Sequence, residues 1–226
     1  MSQAVAEKAY KGMGMEGFTA KWYASLTVKS LDEFKALARR VAGPLPAGSN
    51  VLEVAPGPGY FAIELAKLGA YRISGIDISH TFVEIARRNA AEAGVEVDFR
   101  EGNAAAMPFE DETFDFLLCR AAFKNFTEPV RALQEMYRVL KPGGRALIID
   151  LKKDASNDSI AEAVDRMGVG RVNGIITKLT FRFMLLKRAY TRKQFQEFLS
   201  QTKFGPAKIK EDLIGLELSL KRPQTS

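Results

Sequence analysis

The chain has 226 residues, 46% of them apolar and 27% charged, with one cysteine and a formal net charge of +6. That length allows one sizeable core, and the composition excludes a fibrous or disordered chain. The densest apolar run, residues 181–186, is interrupted by Arg182 and falls far short of the roughly 20 residues of a membrane-spanning helix.

The opening MSQAVAEKAYKG lacks the apolar core of a signal peptide, and Cys119 has no second cysteine to pair with. One Cys and one His, His80, are too few for a structural zinc site. The expectation is a reducing, cytoplasmic setting and no metal. Between residues 166 and 210 eleven Lys or Arg stand against a single acid, Glu197, so the positive charge belongs to one late segment. It reads as solvated helix faces, with an acidic ligand or a membrane surface as the functional counterpart.

In chain order, Gly12, Gly14 and Gly17 give residues 1–28 a loosely ordered pattern, and Ser30 with Glu33 makes a capping box for a helix over about 31–41. Residues 51–55 are an apolar run broken by Pro56, Gly57, Pro58 and Gly59, after which Phe61, Leu65 and Leu68 recur at helical spacing. Strands over 71–77, 95–100, 114–119 and 145–151 then alternate with helices over about 81–93 and 128–140. Such alternation requires crossover units and a doubly wound, mostly parallel α/β sheet.

After residue 151 the rhythm breaks. Residues 155–190 carry two helical stretches, the second with Ile175, Ile176, Leu179, Phe183 and Leu186 near one face. Thr191 caps a short helix to about residue 201, and strand-like runs near 207–210 and 213–220 lie too close together for a crossover, so they pair antiparallel. The expected whole is one domain with seven strands, one of them antiparallel: a helical extension over 1–47, a ligand-binding core over 48–151, a cover over 152–190 and a closing helix and two strands over 191–226.

Ligands of open α/β sheets sit beyond the carboxyl ends of the strands, which makes 53–59, 77–80, 102–106 and 119–125 the candidate site. Gly57-x-Gly59-x-x-Ala62 with Asp77 further on fits a dinucleotide fingerprint. A pyrophosphate, however, wants free backbone N–H groups and no adjacent anion, whereas this turn carries Pro56, Pro58 and Glu53. It suits a cationic ligand better. S-adenosylmethionine has no phosphate, a positive sulfonium and amino group, and a ribose for Asp77.

The segments Glu53-Val-Ala-Pro-Gly57-Pro-Gly59, Gly75-Ile-Asp77, Gly102-Asn-Ala-Ala-Ala-Met-Pro-Phe109, Phe114-Asp-Phe-Leu-Leu-Cys-Arg120 and the run from Leu133 to Gly144, in this order, resemble class I S-adenosylmethionine-dependent methyltransferases. Lys124-Asn-Phe-Thr127 is similar to the ubiquinone/menaquinone-biosynthesis branch. The resemblance implies a Rossmann-like fold, S-adenosyl-L-methionine as cofactor, and methyl transfer to a small-molecule acceptor. It places the methionine portion at Glu53 and the Ala55, Pro56, Gly57 and Gly59 backbone, the ribose at Asp77, and the adenine edge at Asn103 and Ala104. Ile78, Gly102 and Arg120 are counted as further cofactor contacts. Ala55 stands where the family often has glycine, and Asn103 where aspartate is common.

Methyl transfer asks the protein to align a nucleophile, exclude water and sometimes remove a proton. Arg120, Lys124 and Asn125, past the fourth strand, are the candidates for orienting a polar or anionic acceptor group. His80 reads as a helix-start residue before a base, Cys119 as buried and inert, and Trp22 and Tyr23 as a lid or as core. The alternatives are a nicotinamide oxidoreductase, which leaves Glu53 and the two prolines unexplained, and a nucleic-acid-binding protein using the basic segment, against which stand the lone Trp and the missing recognition motif.

Overall fold

A computed structural model describes residues 10–11, 14–166 and 171–224. The expectations for residues 1–9, 12–13 and 167–170 lie outside them. The strands are β1 (Asn50–Val54), β2 (Arg72–Asp77), β3 (Asp98–Glu101), β4 (Phe114–Arg120), β5 (Leu140–Leu151), β6 (Lys208–Glu211) and β7 (Gly215–Lys221). The helices are α1 (Gly17–Thr27), α2 (Leu31–Ala42), α3 (Tyr60–Ala66), α4 (His80–Glu92), α5 (Pro129–Val139), α6 (Asn157–Arg166), α7 (Arg171–Thr180) and α8 (Arg192–Leu199).

The strands form one seven-stranded sheet in the order β3-β2-β1-β4-β5-β7-β6. β7 runs antiparallel to both β5 and β6, and the remaining pairs are parallel, as the short final connection requires. Central strands bury both faces, which is why they read as continuous apolar runs. Along β1, Val51 packs with α2, α3 and α4 on one face, while Leu52 and Val54 pack with α5 and α8 on the other. By the same alternation Glu53 points to the α3 side. β1 and β4 adjoin at the centre, where the strand order reverses, so the loops after them share the crevice in which ligands of such sheets bind.

Four details depart from the sequence reading. α1 occupies much of the stretch expected to be loose, because Ala20 and Ala24 bury against Phe82 and Ile85 of α4; tertiary packing supplies the order that local pattern does not signal. The capping box at Ser30 does not form: a 3₁₀ turn, Val28–Ser30, runs straight into α2, and Glu33 reaches away to Arg120. β5 begins at Leu140, absorbing the Lys-Pro-Gly-Gly run through a register shift opposite Phe114 to Phe116.

The fourth departure concerns α7, which continues into a π-helical turn, Phe181–Leu185. A π turn holds more residues than an α turn, so it rotates the face that a helical spacing predicts. Phe181 and Leu186 pack inward with Ile160 and Val164 of α6. Ile175, Leu179 and Phe183 are exposed rather than sharing that buried face. By contrast the cap at Thr191 is as read, with Gln194 completing a reciprocal pair of bonds.

Candidate active site

The chain leaves β1 through a turn made of left-handed residues: Ala55 has φ 56°, Gly57 φ 54° and Gly59 φ 80°. Glycine adopts this region freely, while alanine pays for its Cβ, so Ala55 is held there by its surroundings. A Cβ on Gly59 would lie 2.6 Å from the Phe99 ring, so glycine is required there on both counts. The turn has no spare N–H between residues 55 and 59. Ala55 donates to Ile76 O (2.8 Å), Gly57 to Asp77 Oδ2 (3.0 Å) and Gly59 to Pro56 O (3.1 Å), and Pro56 and Pro58 have none to give. That is the opposite of a phosphate cradle.

Two carboxylates flank the turn. Glu53, at the end of β1, accepts from Ala62 N of α3 (3.1 Å); Asp77, at the end of β2, accepts from Gly57 N and from Ser79 N (2.9 Å). Both are buried, and neither has an ion-pair partner among the described residues. Burial pushes Glu53 up to about 8, against the opposing pull of the Ala62 bond and the Arg120 charge. Burial likewise raises Asp77 to about 6, despite its bonds to Ser79 and Gly57. These are two buried acids lacking a compensating cation, in a crevice.

The loop after β4 is organised in the opposite way. Ala121 is left-handed at φ 57°, and the chain then enters a 3₁₀ turn, Phe123–Asn125. Lys124 is buried and its Nζ donates to Asp150 Oδ1 (2.9 Å) and to the Ala121 carbonyl, while its backbone N donates to Asp150 Oδ2 (2.8 Å). Lys124 is therefore no solvated lysine at a helix entrance. Asp150, near the end of β5, fixes both the ammonium and the backbone of the loop. Beside it the Asn125 Oδ1 is buried without a hydrogen-bond partner.

The other sequence candidates are dispersed. Arg120 donates to Glu33 Oε2 of α2 (2.7 Å), and its guanidinium lies 4.4 Å from the centre of the Phe34 ring, although its charge is felt at Glu53 and Tyr23. His80 opens α4 on the surface between Glu84 and Glu101, which raise its pKa. Cys119 is fully buried and its thiol is pushed well up by desolvation, which keeps it an inert core residue. Asn103 turns its Oδ1 onto Ala105 N (2.8 Å), shaping the loop after β3 that contains Gly102 and Ala104. Trp22 is 55% exposed, whereas Tyr23 packs edge-on against Phe82.

Residues 52–148 match the methyltransferase domain family. Over those residues the chain carries a methyltransferase domain. It is 38% identical over 108 residues to a demethylmenaquinone methyltransferase of Deinococcus radiodurans, covering 47% of this chain and 45% of that protein. It is 30% identical over 156 residues to a demethylmenaquinone methyltransferase of Chlorobaculum tepidum, covering 68% and 62%. The chain thus spans about half the length of the first of these relatives. Among solved structures, a Methanococcus maripaludis protein of the S-adenosylmethionine-dependent methyltransferase type superposes with a TM-score of 0.75 at 20% identity, covering 96% of this chain and 97% of that one. At that identity the likeness is one of fold.

Within this methyltransferase domain and its surroundings, two residues escaped the sequence reading. Asp150 ends a strand as Glu53 and Asp77 do, and extending the strand-end rule to β5 would have found it. Tyr10 carries no such signal. Its backbone bridges to Phe126, and the next residue donates its N–H to Asn125 O (2.7 Å). Burial raises the Tyr10 hydroxyl to about 12, with Tyr23, Asp77 and Asp150 adding to the rise and Arg188 opposing it, so the N-terminal segment crosses the same crevice. Met15 O accepts from Ser79 Oγ, and Glu16 accepts from Thr81 N, which ties the segment down on the α4 side.

Proposed function

We propose that this chain binds S-adenosyl-L-methionine and transfers its methyl group to a small-molecule acceptor. The observation that carries the reading is the pair of buried, unpaired carboxylates, Glu53 and Asp77, flanking a turn whose N–H groups are all engaged. A cationic cofactor with a ribose and no phosphate fits that donor set, and a dinucleotide does not. When bound, S-adenosylmethionine supplies an electrophilic methyl group whose transfer the sulfonium already drives.

The chain's own part is binding, orientation and exclusion of water. Asp77, released from the Gly57 N–H, accepts from the ribose hydroxyls; Glu53 faces the positive end of the cofactor; the 102–104 loop and Ile78 border the adenine. On the acceptor side Asn125 Oδ1 takes a hydroxyl or N–H donor of the acceptor, held by the Lys124–Asp150 pair beneath it, while Tyr10 and Tyr23 keep water from the crevice. Arg120 holds α2 against the site and adds positive potential near Glu53. The named relatives methylate quinone precursors, which makes a demethylated quinol the first acceptor to try.

Incubation with methyl-labelled S-adenosylmethionine and a panel of quinols, phenols and amines tests the reading. Label passing to an organic-extractable product, and lost in Asp77→Ala, is the expected result. Binding of NAD with no affinity for S-adenosylmethionine would return the glycine turn to an oxidoreductase.

A further inference from the structure

The helical cover between β5 and β7 is apolar on both sides. Its inner side, through Phe181 and Leu186, packs with α6. Its outer side presents Ile175, Leu179 and Phe183, which are 62%, 50% and 51% exposed and spaced four residues apart along one stripe. A helix with one apolar face needs one neighbour; a helix with two has a second partner outside the fold.

The charges beside the stripe say what that partner is. The Arg182 guanidinium and the Lys187 ammonium lie 5.3 and 5.8 Å from the centre of the Phe183 ring. Neither these two nor Arg188 has a carboxylate partner among the described residues, whereas Lys178 on the same helix is paired with Asp165 of α6, Arg166 with Glu162 and Arg192 with Glu211. An exposed row of Ile, Leu and Phe rimmed by unpaired Arg and Lys is the composition of a helix that lies in a membrane interface, its rings among the acyl chains and its cations at anionic headgroups.

We propose that the outer face of α7 and its π turn docks on a bilayer containing anionic lipid. The docked helix leads towards the crevice, because Tyr190, four residues past Leu186, packs edge-on against Phe123 of the loop after β4 and its hydroxyl accepts from Lys11 Nζ (2.5 Å). An apolar acceptor could thus pass between bilayer and crevice without crossing water. The docking itself does not depend on the methyltransferase reading.

Flotation with phosphatidylcholine vesicles, with and without about one third phosphatidylglycerol, tests it on the whole protein. The expected result is retention on anionic vesicles only, weakened roughly 30-fold in Arg182→Glu/Lys187→Glu and by a comparable factor in Ile175→Ser/Leu179→Ser/Phe183→Ser. S-adenosylmethionine affinity and the thermal midpoint, measured on the same variants, show that the fold is intact. Wild-type protein that stays off anionic vesicles overturns the proposal, as does retention unaffected by the apolar triple substitution. A concentration-dependent dimer abolished by that triple substitution, with no vesicle binding, would assign the face to a second copy of the chain.

Discussion

The two halves of the crevice are equally buried and provide for charge in opposite ways. After β1 and β2, Glu53 and Asp77 stand without a cation and rise to about 8 and about 6. After β4 and β5, Lys124 and Asp150 form a closed pair with its remaining bonds made to the loop backbone. Desolvated charges are tolerated only when they are compensated, so the closed pair belongs to the scaffold, and the proposed function reads the two unpaired acids as the place of a cationic cofactor.

The largest effect that would break this comparison is on stability. Lys124→Ala leaves Asp150 as an uncompensated buried charge and should cost about 3–5 kcal/mol in denaturant unfolding, while the apolar double replacement Lys124→Met/Asp150→Leu should cost far less. Equal losses in the single and double variants would mean that the pair is not a closed unit. Next in size, Asp77→Asn should weaken S-adenosylmethionine about 100-fold by titration calorimetry, the equivalent of one to two charge-assisted hydrogen bonds.

pH sharpens the contrast. Glu53 and Asp77 hold protons in the folded free protein that the unfolded chain has released, so between about pH 4 and 8 their contribution to stability falls as pH rises. Glu53→Gln and Asp77→Asn should each flatten that fall in the thermal midpoint. Gln matches the protonated carboxyl of the folded state but has no proton to lose on unfolding, so Glu53→Gln should be close to wild type in stability near pH 4 and more stable than wild type at pH 7. A smaller effect belongs to Ala55→Gly, where relief of about 1–2 kcal/mol of left-handed strain is offset by roughly 0.5–1 kcal/mol of glycine entropy. Smallest is His80→Ala, an exposed residue with solvent-screened partners, which should change cofactor affinity by less than about two-fold.

The half after β1 and β2 was legible in the sequence because its chemistry is local. Proline and glycine at fixed offsets dictate the turn, and an acid at each of two strand ends needs only the sheet's polarity to be placed. The half after β4 and β5 was legible only in outline, since a lysine before an asparagine says nothing of burial until Asp150 arrives from β5. Tyr10, α1 and the separation of buried Leu186 from the exposed Ile175, Leu179 and Phe183 were not legible. The first two depend on contacts made far along the chain, with Phe126 and with Phe82, and the third on a π turn that no spacing rule anticipates.

The most direct test of the central claim is calorimetric titration of S-adenosylmethionine at pH 7 in buffers of differing ionisation enthalpy. Binding accompanied by proton release, abolished in Glu53→Gln, is the expected result, because a cation entering beside Glu53 drives its proton off. Binding without proton release, or with uptake, would contradict the account of Glu53 and Asp77 as anion sites kept for the cofactor.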